Sequence, residues 1–232
     1  MNSEVQTLLC PQRDLLEEKL CACIAEHLRA ACEQRGTATL ALSGGATPRE
    51  LYRRLADIAL PWQRIHARLV DDRCVPQDHP DSNEAMVRAN LLRGPATQAQ
   101  FRGLIERNDQ HVKPVDDLEL PEESGGGFDL VVLGMGTDGH TASWFPDSPD
   151  LSQALHEHQK PVVHVRTPGG EHDRVTLTRA AVLNSRLLVL YINGREKKRA
   201  LARVLEDGAV EEYPVRAVLR QEDVPVKVYW AP

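Results

Sequence analysis

The sequence predicts an α/β protein: a doubly wound, mainly parallel sheet with helices on both faces. Three observations carry this. Short apolar runs of strand length alternate with helix-length amphipathic segments along the chain. Polar and glycine-rich clusters stand at the carboxyl ends of several of these runs, where open α/β sheets bind ligands. The 232 residues, 41% hydrophobic and 27% charged, suit a single globular domain spanning residues 1–232.

Composition narrows the function. No apolar run approaches the roughly 20 residues of a membrane helix. The opening MNSEVQTLLCPQRD lacks the basic-then-apolar layout of a signal peptide, so a cytoplasmic protein without membrane contact is expected. A net charge of −6 with no long basic run argues against a nucleic-acid partner. An acidic protein that binds an anion must gather its cations locally. The five cysteines, Cys10, Cys21, Cys23, Cys32 and Cys74, show neither zinc-knuckle nor redox CxxC spacing and read as reduced thiols.

In chain order, Arg13 to Gln34 keeps a 3.6-residue apolar period through Leu16, Leu20, Ile24, Leu28 and Ala31, and Gly36 ends that helix. Thr39 to Ser43 is a strand. A helix to about Ala59 follows, with Thr47 as N-cap, Pro48 at the first position and Glu50 completing a capping box. The intervening Ser43, Gly44 and Gly45 offer bare backbone N–H groups at a helix start, an anion-binding arrangement; a plain, well-capped turn is the alternative. Ala67 to Asp71 is a second strand, leading into Asp72 and Arg73. The guanidinium of Arg73 matches phosphate oxygens, and Asp72 would orient it or meet a hydroxyl; a surface salt bridge is the alternative. Asp81-Ser82-Asn83 caps a helix to Leu92, Phe101 to Ile105 is a strand, and 108–127, rich in charge, Pro and Gly, is a surface excursion.

Phe128 to Leu133 is a buried strand followed by Gly134, Gly136 and Gly139, with Asp138 and His140 on the same turn. A carboxylate and an imidazole on a glycine-hinged turn make an acid/base device, against the alternative of a cap and a surface histidine. Pro146 and Pro149 permit only a short helix. Pro161 to Val165 and Arg174 to Thr178 are strands, the second bearing the cation Arg174. His156, His158 and His164 read as solvated, and no metal or cofactor is expected. Arg179 to Ser185 is a helix and Arg186 to Ile192 a strand. Gly194 opens a helix through Glu206, with Lys197 in its first turn; a cation there opposes the helix dipole and points to a nearby anion. Val215 to Leu219 and Val226 to Trp230 close the chain as strands.

The blocks LALSGGATPRELYRRL, LVDDRCVPQDHPDSNEAMVRANLL, FDLVVLGMGTDGHTASWFP, RVTLTRAAVLNS and INGREKK together resemble the 6-phosphogluconolactonase family in the right order over most of the chain. The resemblance implies hydrolysis of 6-phospho-D-glucono-1,5-lactone in the pentose phosphate pathway, on the fold of sugar-phosphate isomerases and deaminases. It implies His140 as the base that activates water, with Asp138 holding the ring. The phosphate would lie on Ser43, Gly44, Gly45 and Thr47, helped by Arg73, Arg174 and Lys197, with Asp72 and Gly136 positioning. A sugar-phosphate lactone is the expected partner, for a monomer or weak homodimer. The family's usual Asp-Glu-Arg is Asp-Asp-Arg here, and the segment before Phe128 is shorter than usual. The developing alkoxide would draw on N–H groups of the glycine turn.

Three rivals remain. A glucosamine-6-phosphate deaminase/isomerase would carry a carboxylate five residues after the histidine, where this chain has Phe145. A dinucleotide-binding oxidoreductase would match Gly134, Gly136 and Gly139, but needs a long helix that Pro146 and Pro149 deny. A non-catalytic sugar-phosphate binding protein would share the pocket and differ only in activity.

Overall fold

The computed structural model describes residues 5–107 and 112–232; the first residues of the 108–127 excursion lie outside them. In chain order the elements are β1 (Gln6–Leu9), α1 (Arg13–Arg35), β2 (Ala38–Leu42), α2 (Arg49–Ala56), β3 (Ile65–Leu69), β4 (Asp71–Arg73), α3 (Asn83–Asn90), β5 (Gln100–Phe101), β6 (Ile105–Arg107), β7 (Val112–Pro114), β8 (Leu130–Leu133), α4 (Leu151–His156), β9 (Val162–Val165), β10 (Arg174–Leu177), α5 (Arg179–Leu183), β11 (Leu188–Asn193), α6 (Arg195–Leu205), α7 (Arg216–Leu219) and β12 (Val226–Ala231). Short 3₁₀ turns fill some connections.

The main sheet has seven strands in the order β1-β12-β11-β8-β2-β3-β5, and every neighbouring pair is parallel. Every residue of β2 and β8 is buried, as are Leu188–Ile192 of β11. Strands buried on both faces need cover on both sides. From β2 the chain moves outward through β3 and β5; from β8 it moves the other way through β11 and β12. The order therefore reverses between β2 and β8, and such a reversal opens a crevice at the strands' carboxyl ends. A second, antiparallel sheet, β4-β10-β9, sets Arg73 opposite Arg174. Val70 joins the two sheets, donating to Leu42 O and accepting from Leu177 N.

At the opposite, amino ends of β2 and β8 sits a buried carboxylate, Asp129. It accepts from Thr39 N at 2.8 Å and Thr39 Oγ1 at 3.1 Å, and pairs with Arg35 and Arg186.

Three expectations are corrected. Val215 to Leu219 is not a strand: Arg216–Leu219 is a helical turn, because Arg216 is buried and its guanidinium donates to the carbonyls of Val204 and Glu206 at the end of α6. Thr47 is not an N-cap, since α2 starts at Arg49 without a side-chain cap; Thr47 Oγ1 donates to Asn193 Oδ1 at 3.1 Å, and Glu50 pairs with Arg53 and Arg54. Asp71 is not the end of β3 but the start of β4, across the Val70 turn. The sequence reading also missed β1, which pairs with β12 at the sheet edge.

Candidate active site

The crevice between β2 and β8 is a cleft of about 210 Å³. Its wall joins the loop after β2 (Ser43 to Pro48), the turn after β8 (Gly134 to Gly136, His140, Ala142), Asp71, Arg73 and Asn83 from the second sheet and α3, and Tyr191 and Lys197 from β11 and α6. Residues far apart in sequence meet there because most of them stand at or just beyond the carboxyl end of a strand.

The first loop is built to expose its backbone. The N–H groups of Gly44, Gly45, Ala46 and Thr47 make no hydrogen bond among the described residues. Consecutive free donors ahead of a helix form an anion cradle. Gly44 must lack a side chain: a Cβ there would lie 1.9 Å from the Asn83 amide. The loop is held from below. Tyr52 donates to Ser43 O at 2.6 Å, and Arg13 donates to Thr47 O at 2.8 Å. Arg13 in turn pairs with Glu17, a fully buried carboxylate that also pairs with Arg54 and accepts from Tyr191. Burial, then Glu17, raises the Tyr191 pKa, so its hydroxyl stays protonated and donates.

Two cations face this loop. Arg73 donates to Asp81 O and Asn83 Oδ1, both at 2.8 Å, which fixes its direction. Lys197 lines the cleft and makes no hydrogen bond or ion pair among the described residues. Burial lowers its pKa, and the charge of Asp138 opposes that shift.

On the other side, His140 Nδ1 lies 2.7 Å from Asp138 Oδ1. Burial would raise the Asp138 pKa, but the hydrogen bond and charge of His140 prevail and lower it. An ionised carboxylate only accepts, so Nδ1 carries a proton, and in the neutral imidazole Nε2 holds the lone pair. Gly136 makes room for this pair: a Cβ there would stand 2.2 Å from Asp138 Oδ1 and 2.3 Å from His140 Nδ1. Phe145 packs on the imidazole at 4.8 Å between ring centres.

Some expected residues stand elsewhere. Asp72 does not face the cleft. It is fully buried and accepts from the backbone N–H groups of Arg73 (2.8 Å), Asn83 (2.6 Å) and Glu84 (3.3 Å), so it anchors the start of α3. Arg174 is not in the cleft wall; its Nε and Nη1 are buried without hydrogen-bond partners among the described residues. The glycine turn is not a free donor set: Gly134 N donates to Ser43 Oγ, Gly136 N to His140 O and Gly139 N to Gly136 O.

Asp71, Asn83 and Tyr191 line the cleft and were missed as site residues. Asp71 accepts from Ser143 Oγ at 2.7 Å; burial raises its pKa, and that bond opposes the shift. The doubled Asp71-Asp72 was the available signal, since alternate residues of a strand point to opposite sides.

Comparison with known proteins identifies the family. A family model described as glucosamine-6-phosphate isomerases/6-phosphogluconolactonase matches residues 11–230. The 6-phosphogluconolactonase of Rhizobium meliloti (strain 1021) is 38% identical over 219 residues, which cover 94% of each chain. That of Pseudomonas aeruginosa is 38% identical over 224 residues, covering 92% of this chain and 89% of the other. The crystal structure of a 6-phosphogluconolactonase from Shewanella baltica superposes with a TM-score of 0.89 at 36% identity, covering 100% of both chains.

Proposed function

The chain belongs to the glucosamine-6-phosphate isomerase/6-phosphogluconolactonase family, and we propose that it is a lactonase that hydrolyses 6-phospho-D-glucono-1,5-lactone to 6-phosphogluconate. One observation carries the mechanism: the free N–H groups of the Ser43–Thr47 loop, with Arg73 and Lys197, share a cleft with an imidazole whose tautomer is set by Asp138.

The phosphate lies on that loop, and Arg73 and Lys197 balance its charge. Arg174, cross-strand from Arg73, adds positive potential behind it. The ring then reaches across to His140. Nε2 takes a proton from water as the oxygen attacks the lactone carbonyl, and Asp138 stabilises the imidazolium. When the tetrahedral intermediate collapses, the bond from C1 to the ring oxygen breaks. The imidazolium returns its proton to that oxygen, so the base is regenerated in one turnover.

Among the described residues, no helix is long and apolar enough to cross a membrane. A cytoplasmic enzyme acting as a monomer or weak homodimer fits this reading. The test is fresh 6-phosphogluconolactone with coupled oxidation of 6-phosphogluconate, beside His140→Ala. Acceleration over spontaneous opening that vanishes in the variant supports the proposal. No acceleration by the unmodified protein refutes it.

A further inference from the structure

Outside the machinery just described, three ligand-bearing side chains meet at the cleft rim. We propose that His79, Asp81 and His172 form a site for a divalent transition ion of the zinc class, which clips two rim loops together beside Arg73.

His79 and Asp81 lie in the loop between β4 and α3, and His172 in the loop between β9 and β10. His79 Nδ1 is 3.8 Å from Asp81 Oδ2, and His172 Nε2 is 3.6 Å from the same oxygen. One ligand atom from each residue lies within 4.8 Å of the others. Bonds to zinc of about 2.0–2.1 Å place two ligand atoms of a tetrahedral ion about 3.4 Å apart. Small side-chain rotations therefore close the set. The two rings are edge-on, with centres 5.4 Å apart, so neither stacks over the other's nitrogen. His79 Nδ1 accepts the N–H of Asp81 at 3.2 Å, so this nitrogen is unprotonated; an ion bound there replaces that long hydrogen bond.

The donor set selects the ion. Two imidazoles and one carboxylate suit zinc, cobalt or nickel, whereas magnesium and calcium favour oxygen ligands. The three side chains are partly exposed, which leaves an entry path and room for water as a fourth ligand. The charge of Arg73 nearby works against very tight binding.

The position gives the site a consequence. Arg73 donates to the carbonyl of Asp81 itself. An ion held by the Asp81 side chain would fix the backbone that aims Arg73 into the cleft.

The test is direct titration of chelator-treated protein with Zn²⁺, repeated with Co²⁺ for its visible spectrum. One saturable equivalent is expected, weakened at least about tenfold in His79→Ala and in His172→Ala. No saturable binding, or undiminished binding in both variants, overturns the proposal; the second result would place the ion elsewhere, for example on Cys23 and His27. Should a variant fail to fold, anomalous scattering from a zinc-soaked crystal of the unmodified protein decides: a peak between the three side chains supports the site, and its absence there refutes it. Zinc should also lower KM severalfold with kcat unchanged, and an unchanged KM would refute the link to Arg73. That last readout rests on the lactonase reading; the titration does not, so the two failures are distinguishable.

Discussion

Gly136 shows how much of this site depends on a missing atom. A methyl group there would occupy the space of the His140–Asp138 pair. Gly136→Ala should therefore abolish turnover while the melting temperature stays near that of the unmodified protein, as steady-state kinetics and calorimetry would show. His140→Ala should lower kcat by about 10²–10⁴-fold, the usual worth of a general base, with KM nearly unchanged. The expected complement is Arg73→Ala, which raises KM first. Asp138 also predicts a pH dependence. Its pKa is lowered in the fold, so its contribution is full above the ordinary carboxylate value of about 3.9 and is lost as pH falls through the lower folded value. Melts of the unmodified protein and Asp138→Asn should thus differ near neutrality and converge in acid. The Asp138–His140 pair was legible because both residues sit on one short turn. Asn83 was not: its part in aiming Arg73 and filling the space over Gly44 is a contact between elements, with no trace in local spacing.

Elements add a layer of support beneath the cleft. The buried carboxylate Glu17 ties α1 to α2 through Arg54, to β11 through Tyr191, and to the Ser43–Thr47 loop through Arg13. Glu17→Ala removes the buried partner that Arg13, Arg54 and Tyr191 share and should destabilise the protein by about 1–3 kcal/mol. It should also raise KM, because the tether on Thr47 loosens. Asp72 does a similar service for α3, and Asp72→Ala should cost about 1–2 kcal/mol, as lost helix caps do; thermal denaturation checks both. Periodicity revealed α1 and α6 almost to the residue, since long amphipathic runs carry their own signal. It failed at Arg216–Leu219, where a short apolar run suits strand or helix equally and a buried arginine decides. The expected box at Thr47 and Glu50 failed for a related reason: Asn193 and the arginines of α2 compete for the same side chains.

Across the whole molecule, the strand order places the chemistry. Parallel strands with covering helices could be inferred from alternation alone, and so could the use of carboxyl ends. The reversal between β2 and β8 could not, because strand order depends on long-range pairing. The family model is described for glucosamine-6-phosphate isomerases as well, so activity on amino sugars is the sharpest contrast. Here Phe145 packs against the imidazole. Incubation with glucosamine 6-phosphate should release no ammonia above background, in an assay where the lactone is turned over.

The Asp129 clamp has an implication for engineering. It grips β2 and β8 at their amino ends, while the cleft proposed for catalysis opens where the same strands finish. Heat tolerance and catalytic speed thus have separate addresses on one pair of strands. A designer could harden the far edge around Arg35 and Arg186 and leave the cleft edge untouched.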